Sequence, residues 1–199
     1  MKTTKEKIVE EALKSFLTQG YEKTSLKDLA NRVNITKPAI YHYFHSKQEL
    51  LSTVQRYLLN MIDKAHEQLY QQDISLETTL KYLFDSIKNI EKRFRDSTGF
   101  KTGKFNYHRF FFDCTKYLPT SSMIEESSRE HERLLTARIK QAQETNQISS
   151  KLDAEALSFQ IIATLEGMYL ISLYCPSLEI NKIAQKVFSN MKQLLIVDQ

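Results

Sequence analysis

The sequence predicts an all-α protein, and three observations carry that prediction. Glycine (4) and proline (3) are scarce in 199 residues, no segment alternates apolar and polar positions for long, and apolar residues recur at steps of three and four. At 41% hydrophobic, the chain can bury a sizeable core, as one domain or two small ones.

The elements follow in order. Ile8, Ala12 and Phe16, widened by Leu13 and Leu17, form the apolar stripe of a first helix from Thr4 to Gln19, which Gly20 ends. Ser25, with Asp28 three residues on, caps a short second helix ending near Arg32. Val33-Asn34-Ile35 makes a turn, and Thr36 caps a third helix with Pro38 in its first turn, where a missing N–H costs nothing. Ser46 and Glu49 form another capping pair and open a long fourth helix from Lys47 to about Gln71. Further helices are expected near Leu76–Arg95, Tyr107–Tyr117, Ser122–Thr145, Asp153–Tyr174 and Leu178–Val197. About nine helices result, with a small domain at 1–46 and a larger helical body at 47–199.

Charge points to a partner. Residues 1–50 hold nine Lys/Arg against six Asp/Glu, and the other 149 hold nineteen against eighteen. The excess of positive charge sits in the N-terminal quarter, where a polyanion is gripped. The N-terminus is polar with no apolar stretch behind it, and the apolar runs are too short to cross a bilayer. Cys114 and Cys175 stand outside any paired motif and read as free thiols, so a cytoplasmic location is expected.

Residues 25–44 have the pattern of a helix-turn-helix. Leu26, Leu29, Ala30, Val33, Ile40 and Phe44 supply an apolar brace, leaving Lys27, Thr36, Lys37, Ala39, Tyr41, His42 and Tyr43 outward. A major groove about 12 Å wide admits one α-helix, whose N-terminal residues reach the base edges. Lys37 is the candidate to donate to guanine, and Ala39 lets the helix approach closely. Tyr41, His42, Tyr43 and Lys47, with the hydroxyls and helix N-termini at Ser25 and Thr36, suit phosphate oxygens.

These residues carry a resemblance. Phe16, Gly20, Tyr21, Thr24-Ser25-Leu26, Leu29-Ala30, Val33, Ile40-Tyr41, Tyr43-Phe44, Lys47 and Glu49-Leu50 make residues 4–50 similar to the N-terminal domain of the TetR family of bacterial regulators. His42 departs from the pattern, since many relatives carry a second aromatic there. The resemblance implies a homodimer that binds double-stranded operator DNA, a leaning toward repression, and a helical body that binds a small effector and dimerises through its last two helices.

The body's own residues refine those expectations. Phe100–Tyr117 is dense in aromatics, and an effector pocket for an apolar compound is expected from Phe105, Tyr107, His108, Phe111 and Phe112, with Tyr82, Phe84 and Tyr169. The last two helices are too apolar for one small core. A subunit interface is expected from Ile161, Leu165 and Met168 on the first, and Ile180, Ile183, Val187, Met191 and Leu194 on the second. No Gly-rich phosphate loop, paired-Cys motif or His-Glu zinc helix occurs, so neither catalysis, a cofactor nor a metal is expected. His66 and His131 lie among charged residues and are expected to face solvent. The rival readings are an architectural DNA-binding protein without an effector and, more remotely, a helical enzyme.

Overall fold

The computed structural model describes residues 2–86, 107–118, 122–175 and 177–195, and the regular structure among them is entirely α-helical. Its helices are α1 (Thr4–Gln19), α2 (Leu26–Arg32), α3 (Lys37–Tyr43), α4 (Lys47–Tyr70), α5 (76–86 within the described residues), α6 (Tyr107–Tyr117), α7 (Ser122–Glu144), α8 (Ala154–Tyr174) and α9 (Ile180–Leu195). Phe105 and the side chains of Tyr107, His108 and Leu194 lie outside the described residues. None of the described helices is long and apolar enough to cross a membrane.

Local chemistry sets the helix ends. Thr3 and Glu6 close a reciprocal box at the start of α1, with the Thr3 N–H donating to Glu6 Oε2 at 2.7 Å. Those bonds hold the Glu6 carboxyl below the usual carboxylate range. Gly20 ends α1 with φ 86° and ψ 165°, a backbone region that glycine alone occupies without strain. At the other end of the chain, Asp153 caps α8 by accepting the Ala156 N–H at 2.8 Å.

Asparagine does the work of glycine at two further ends. Asn34 has φ 57°, its N–H donates to the Asn31 carbonyl, and the next N–H, of Ile35, reaches back to Ala30 O at 2.9 Å. That pair of bonds is the Schellman closure of α2. The same closure ends α7, where Asn146 has φ 55° and Gln147 N–H donates to Ala142 O at 2.8 Å. A β-branched residue resists a positive φ, so Asn34→Val is expected to cost about 1–2 kcal/mol and Asn34→Gly almost nothing. Urea titration of the two variants checks this.

The chain forms two compact units. In the first, α1, α2, α3 and the N-terminal part of α4 enclose Ile8, Leu13, Phe16, Leu29, Ile40, Phe44, Leu50 and Val54, and α6 inserts Phe110 and Cys114 into the same core, joined by Leu118 just after its end. The expected brace is present: Leu29, Ala30, Ile40 and Phe44 are buried, and Leu26 and Val33 pack against them half-buried. Burying apolar area of this kind contributes about 25 cal/mol per Å², which is what holds three such short helices together.

The second unit holds the end of α4, α5, most of α7, α8 and α9 around Leu69, Leu76, Leu80, Leu135, Ile139, Ile161, Leu165 and Met168. His66 and His131 are in this unit and do not face solvent. Their rings stack at 3.8 Å between centroids, and Tyr70 Oη lies 2.9 Å from His131 Nε2. Charged sequence neighbours do not keep the two imidazoles in water, because packing between α4 and α7 stacks the rings on each other even with Asp63 one turn away from His66.

Candidate nucleic-acid interface

The first unit is built to hold α3 rigid and outward. Ser25 Oγ accepts the Asp28 N–H at 3.1 Å and fixes the start of α2. Thr36 Oγ1 accepts the Ala39 N–H at 3.3 Å, with Pro38 in the first turn of α3. Ser46 Oγ accepts the Glu49 N–H at 3.0 Å, while Glu49 Oε2 reaches back to the His45 N–H at 2.7 Å, locking the α3–α4 turn. Ser25 and Thr36 thus spend part of their hydroxyl chemistry on capping, so their role is to aim helix N-termini.

With Ile40 and Phe44 buried beneath it, α3 presents Lys37, Tyr41, His42 and Tyr43 to solvent. Tyr41 is 43% exposed and Tyr43 37% exposed. Three consecutive rings on a seven-residue helix thus remain open to solvent over a large part of their surface. Lys27 and Thr36 are also exposed, and Ala39 is half-buried. Beside α3 runs a groove of about 380 Å³ lined by Ser25, Leu26, Lys27, Lys37 and Tyr41, together with His45, Ser46 and Lys47 from the α3–α4 turn. Three of these eight residues are lysines and none is acidic, which suits a polyanion. His45 joins this surface without a sequence signal, since turn residues show no periodicity, and Ser46 joins it beside its capping role.

Lys47 lines the groove and also has a structural task. Its ammonium sits 4.2 Å from the Tyr21 ring centroid and donates to the Glu22 carbonyl at 3.2 Å, and this burial lowers its pKa. It therefore orients the α1–α2 loop while lining the groove. The loop is held from the other side by α6. Asp113 Oδ2 accepts the Tyr21 N–H at 3.0 Å, Tyr117 stacks on Tyr21 at 4.6 Å, and the Tyr117 hydroxyl and Lys116 engage Glu22. These contacts hold the Glu22 carboxyl low.

Comparison with known proteins agrees with this geometry. Residues 8–54 match the model of the bacterial regulatory proteins of the tetR family. The N-terminal domain belongs to the TetR family. The chain is also 32% identical over 94 residues to the icaADBC biofilm operon negative transcriptional regulator IcaR of Staphylococcus aureus, covering 45% of this chain and 49% of that one. It thus spans about half the length of the curated relatives it matches. Solved structures extend the likeness of fold to both units. One, from work on the control of antibiotic production by bacterial hormones, has a TM-score of 0.72 at 25% identity and 98% coverage of each chain. Another is the FadR regulator of Bacillus subtilis in complex with stearoyl-CoA, with a TM-score of 0.65 at 13% identity, covering 96% of this chain and 98% of that one.

The residues expected to line an effector pocket are scattered. Phe84 is buried and packs on Phe188, with centroids 5.9 Å apart, while Tyr82 is exposed. Tyr169 is half-buried, with its hydroxyl 3.2 Å from Ser86 Oγ. Phe111 packs edge-on to Phe110 in the first unit, and Phe112 is 68% exposed. Among its described side chains, a helix expected to be buried all round fully buries Phe110 and Cys114 and leaves Phe112, Thr115 and Lys116 exposed. Burial pushes the Cys114 thiol up to about 12, so it is inert packing.

The residues expected at a subunit interface divide in a similar way. Ile161, Leu165 and Met168 are buried in the second unit's own core, and Ile180, Ile183, Val187 and Met191 pack half-buried against it. Among the described residues, the large apolar side chains that α8 leaves exposed are Phe159, Leu170, Ile171 and Tyr174. At 100° per residue Phe159, Ala163, Leu170 and Tyr174 share one stripe. Beside it, a Cβ built on Gly167 meets nothing within 4 Å.

Proposed function

We propose that the protein is a transcriptional regulator, acting as a repressor, which binds operator DNA as a homodimer and releases it when a small apolar effector binds the helical body. The carrying observation is the exposed triplet Tyr41-His42-Tyr43, next to an acid-free groove bearing Lys27, Lys37 and Lys47. Lys37 reads a base, Ala39 sets the approach, and Lys27, Tyr41, His42, Tyr43 and Lys47 hold phosphates, with Ser25 and Thr36 positioning the two helices. IcaR is a negative regulator, which supports repression, and FadR holds stearoyl-CoA in a like fold, which supports an apolar effector. No catalytic step is assigned to any residue.

The exposed α8 stripe supports the dimer. Phe159 is 63% exposed and Tyr174 75% exposed, a costly display unless a second copy covers them. Gly167 leaves room there for a close helix–helix approach. The expected outcome of Phe159→Glu with Tyr174→Glu is a folded monomer with operator affinity reduced at least about tenfold, since two linked heads bind far better than one. Sedimentation and fluorescence anisotropy read both quantities. The regulator reading itself is tested by selecting bound sequences from a random duplex pool. Enrichment of a twofold-symmetric site supports it, and recovery of unrelated sequences overturns it.

A further inference from the structure

The basic residues of α7 are mostly paired or wet. Arg133 forms an ion pair with Glu130, Lys140 lies 3.7 Å from Glu155, and both cations are more than half exposed. Arg138 is the exception: only 8% of it is exposed, and it has no ion pair among the described residues. Its Nη1 donates to Gln141 Oε1 at 2.8 Å, and its Nη2 is buried without an acceptor among the described residues. One helical turn away on the same face lie Leu135 and Ala142, 0% and 2% exposed and part of the second unit's apolar core. A guanidinium keeps its charge, and an unpaired buried charge is among the least favourable features a fold can contain. Gln141 supplies one neutral acceptor, which satisfies one N–H and balances no charge.

We propose that Arg138 is the anchor for a carboxylate, the anionic end of an otherwise apolar ligand bound in the second unit. This rests on the reading of that unit as an effector-binding body and names the effector's chemical class. A carboxylate is planar and singly charged, so it matches one guanidinium and leaves no surplus charge in an apolar core. A phosphate dianion leaves one charge unbalanced there. The ligand's apolar part takes up the surroundings that Leu135 and Ala142 set. In the empty protein Arg138 is a local cost to stability, and the ligand removes that cost on binding.

A binding role and a structural role for Arg138 predict opposite signs. Full-length protein is melted with octanoate, 4-phenylbutyrate, octanol and octyl phosphate, as wild type and as Arg138→Met. In wild type, the carboxylates are expected to raise Tm with dose, and octanol and octyl phosphate to do little. Without ligand, Arg138→Met is expected to melt roughly 2–4 °C higher than wild type, because it deletes an unpaired buried charge at nearly constant volume. Its response to the carboxylates is expected to vanish while its affinity for DNA is kept. A variant that melts lower or fails to fold overturns the proposal, since the guanidinium is then satisfied where it stands. Equal responses to octanoate and octanol, a preference for octyl phosphate, or a carboxylate response kept in Arg138→Met overturn it as well. Failure of the regulator reading is distinct: wild type then binds no duplex, whatever the melting curves show.

Discussion

Lys37→Ala is expected to weaken binding to the selected operator about 10- to 100-fold while leaving binding to random duplex nearly unchanged. One good contact from a basic side chain to a base contributes about 1–3 kcal/mol of discrimination, and Lys37 stands exposed in the first turn of α3, the part that meets base edges. Lys27→Ala is the contrast. It is expected to weaken both duplexes alike and to reduce the slope of log affinity against log salt by about 0.9, one released counterion. Anisotropy titrations at several salt concentrations measure the two variants side by side. An equal loss on both duplexes for Lys37→Ala contradicts its role as the base reader.

The second large effect is acid lability of the second unit. Burial, with the neighbouring His66, pushes the His131 imidazole down to about 3, and burial lowers His66 too, against the opposing pull of Asp63. Two stacked imidazoles tolerate charge poorly, and the unfolded chain takes up those protons near its ordinary pKa of about 6.5. Below that value the unfolded state binds more protons than the folded one. The stability contributed is therefore present above about pH 6.5 and is lost as pH falls toward 3. Each such proton gives a slope of about 1.4 kcal/mol per pH unit, so His131 alone is expected to remove about 1.5 kcal/mol between pH 6.5 and 5. Urea midpoints followed by circular dichroism from pH 7.5 to 4.5 measure it, and His131→Phe is expected to flatten the curve. A wild-type profile without slope over that range contradicts the neutral stacked pair.

Legibility from sequence tracked how local the governing physics is. Thr36 and Ser46, Gly20, and the brace from Leu29 to Phe44 act within a few residues of themselves. The head and its outward side chains were therefore readable, including the exposed rings Tyr41, His42 and Tyr43. Helix faces in the body were not. On α8 apolar residues occur nearly all round, so periodicity could not tell Ile161, Leu165 and Met168, which point into the unit's own core, from Phe159 and Tyr174, which point out. On α6 a run of aromatics hid that Phe110 enters the head's core, with Phe111 and Tyr117 packed against it, while Phe112 is exposed. His66 and His131 met through packing between α4 and α7, residues far apart in the chain, and Arg138 gave no sign that its charge was buried.

On the proposed reading, the α3 surface enters the major groove of a specific duplex as one of two equivalent heads. Interference by methylation of guanine N7, an atom that lies in the major groove, tests it most directly on the selected site. Two clusters of interfering guanines are expected, related by twofold symmetry and separated by about one helical turn or a multiple of it, with one guanine in each cluster silenced by Lys37→Ala. Interference by minor-groove adenine methylation alone, or a single unsymmetrical cluster indifferent to Lys37, contradicts it.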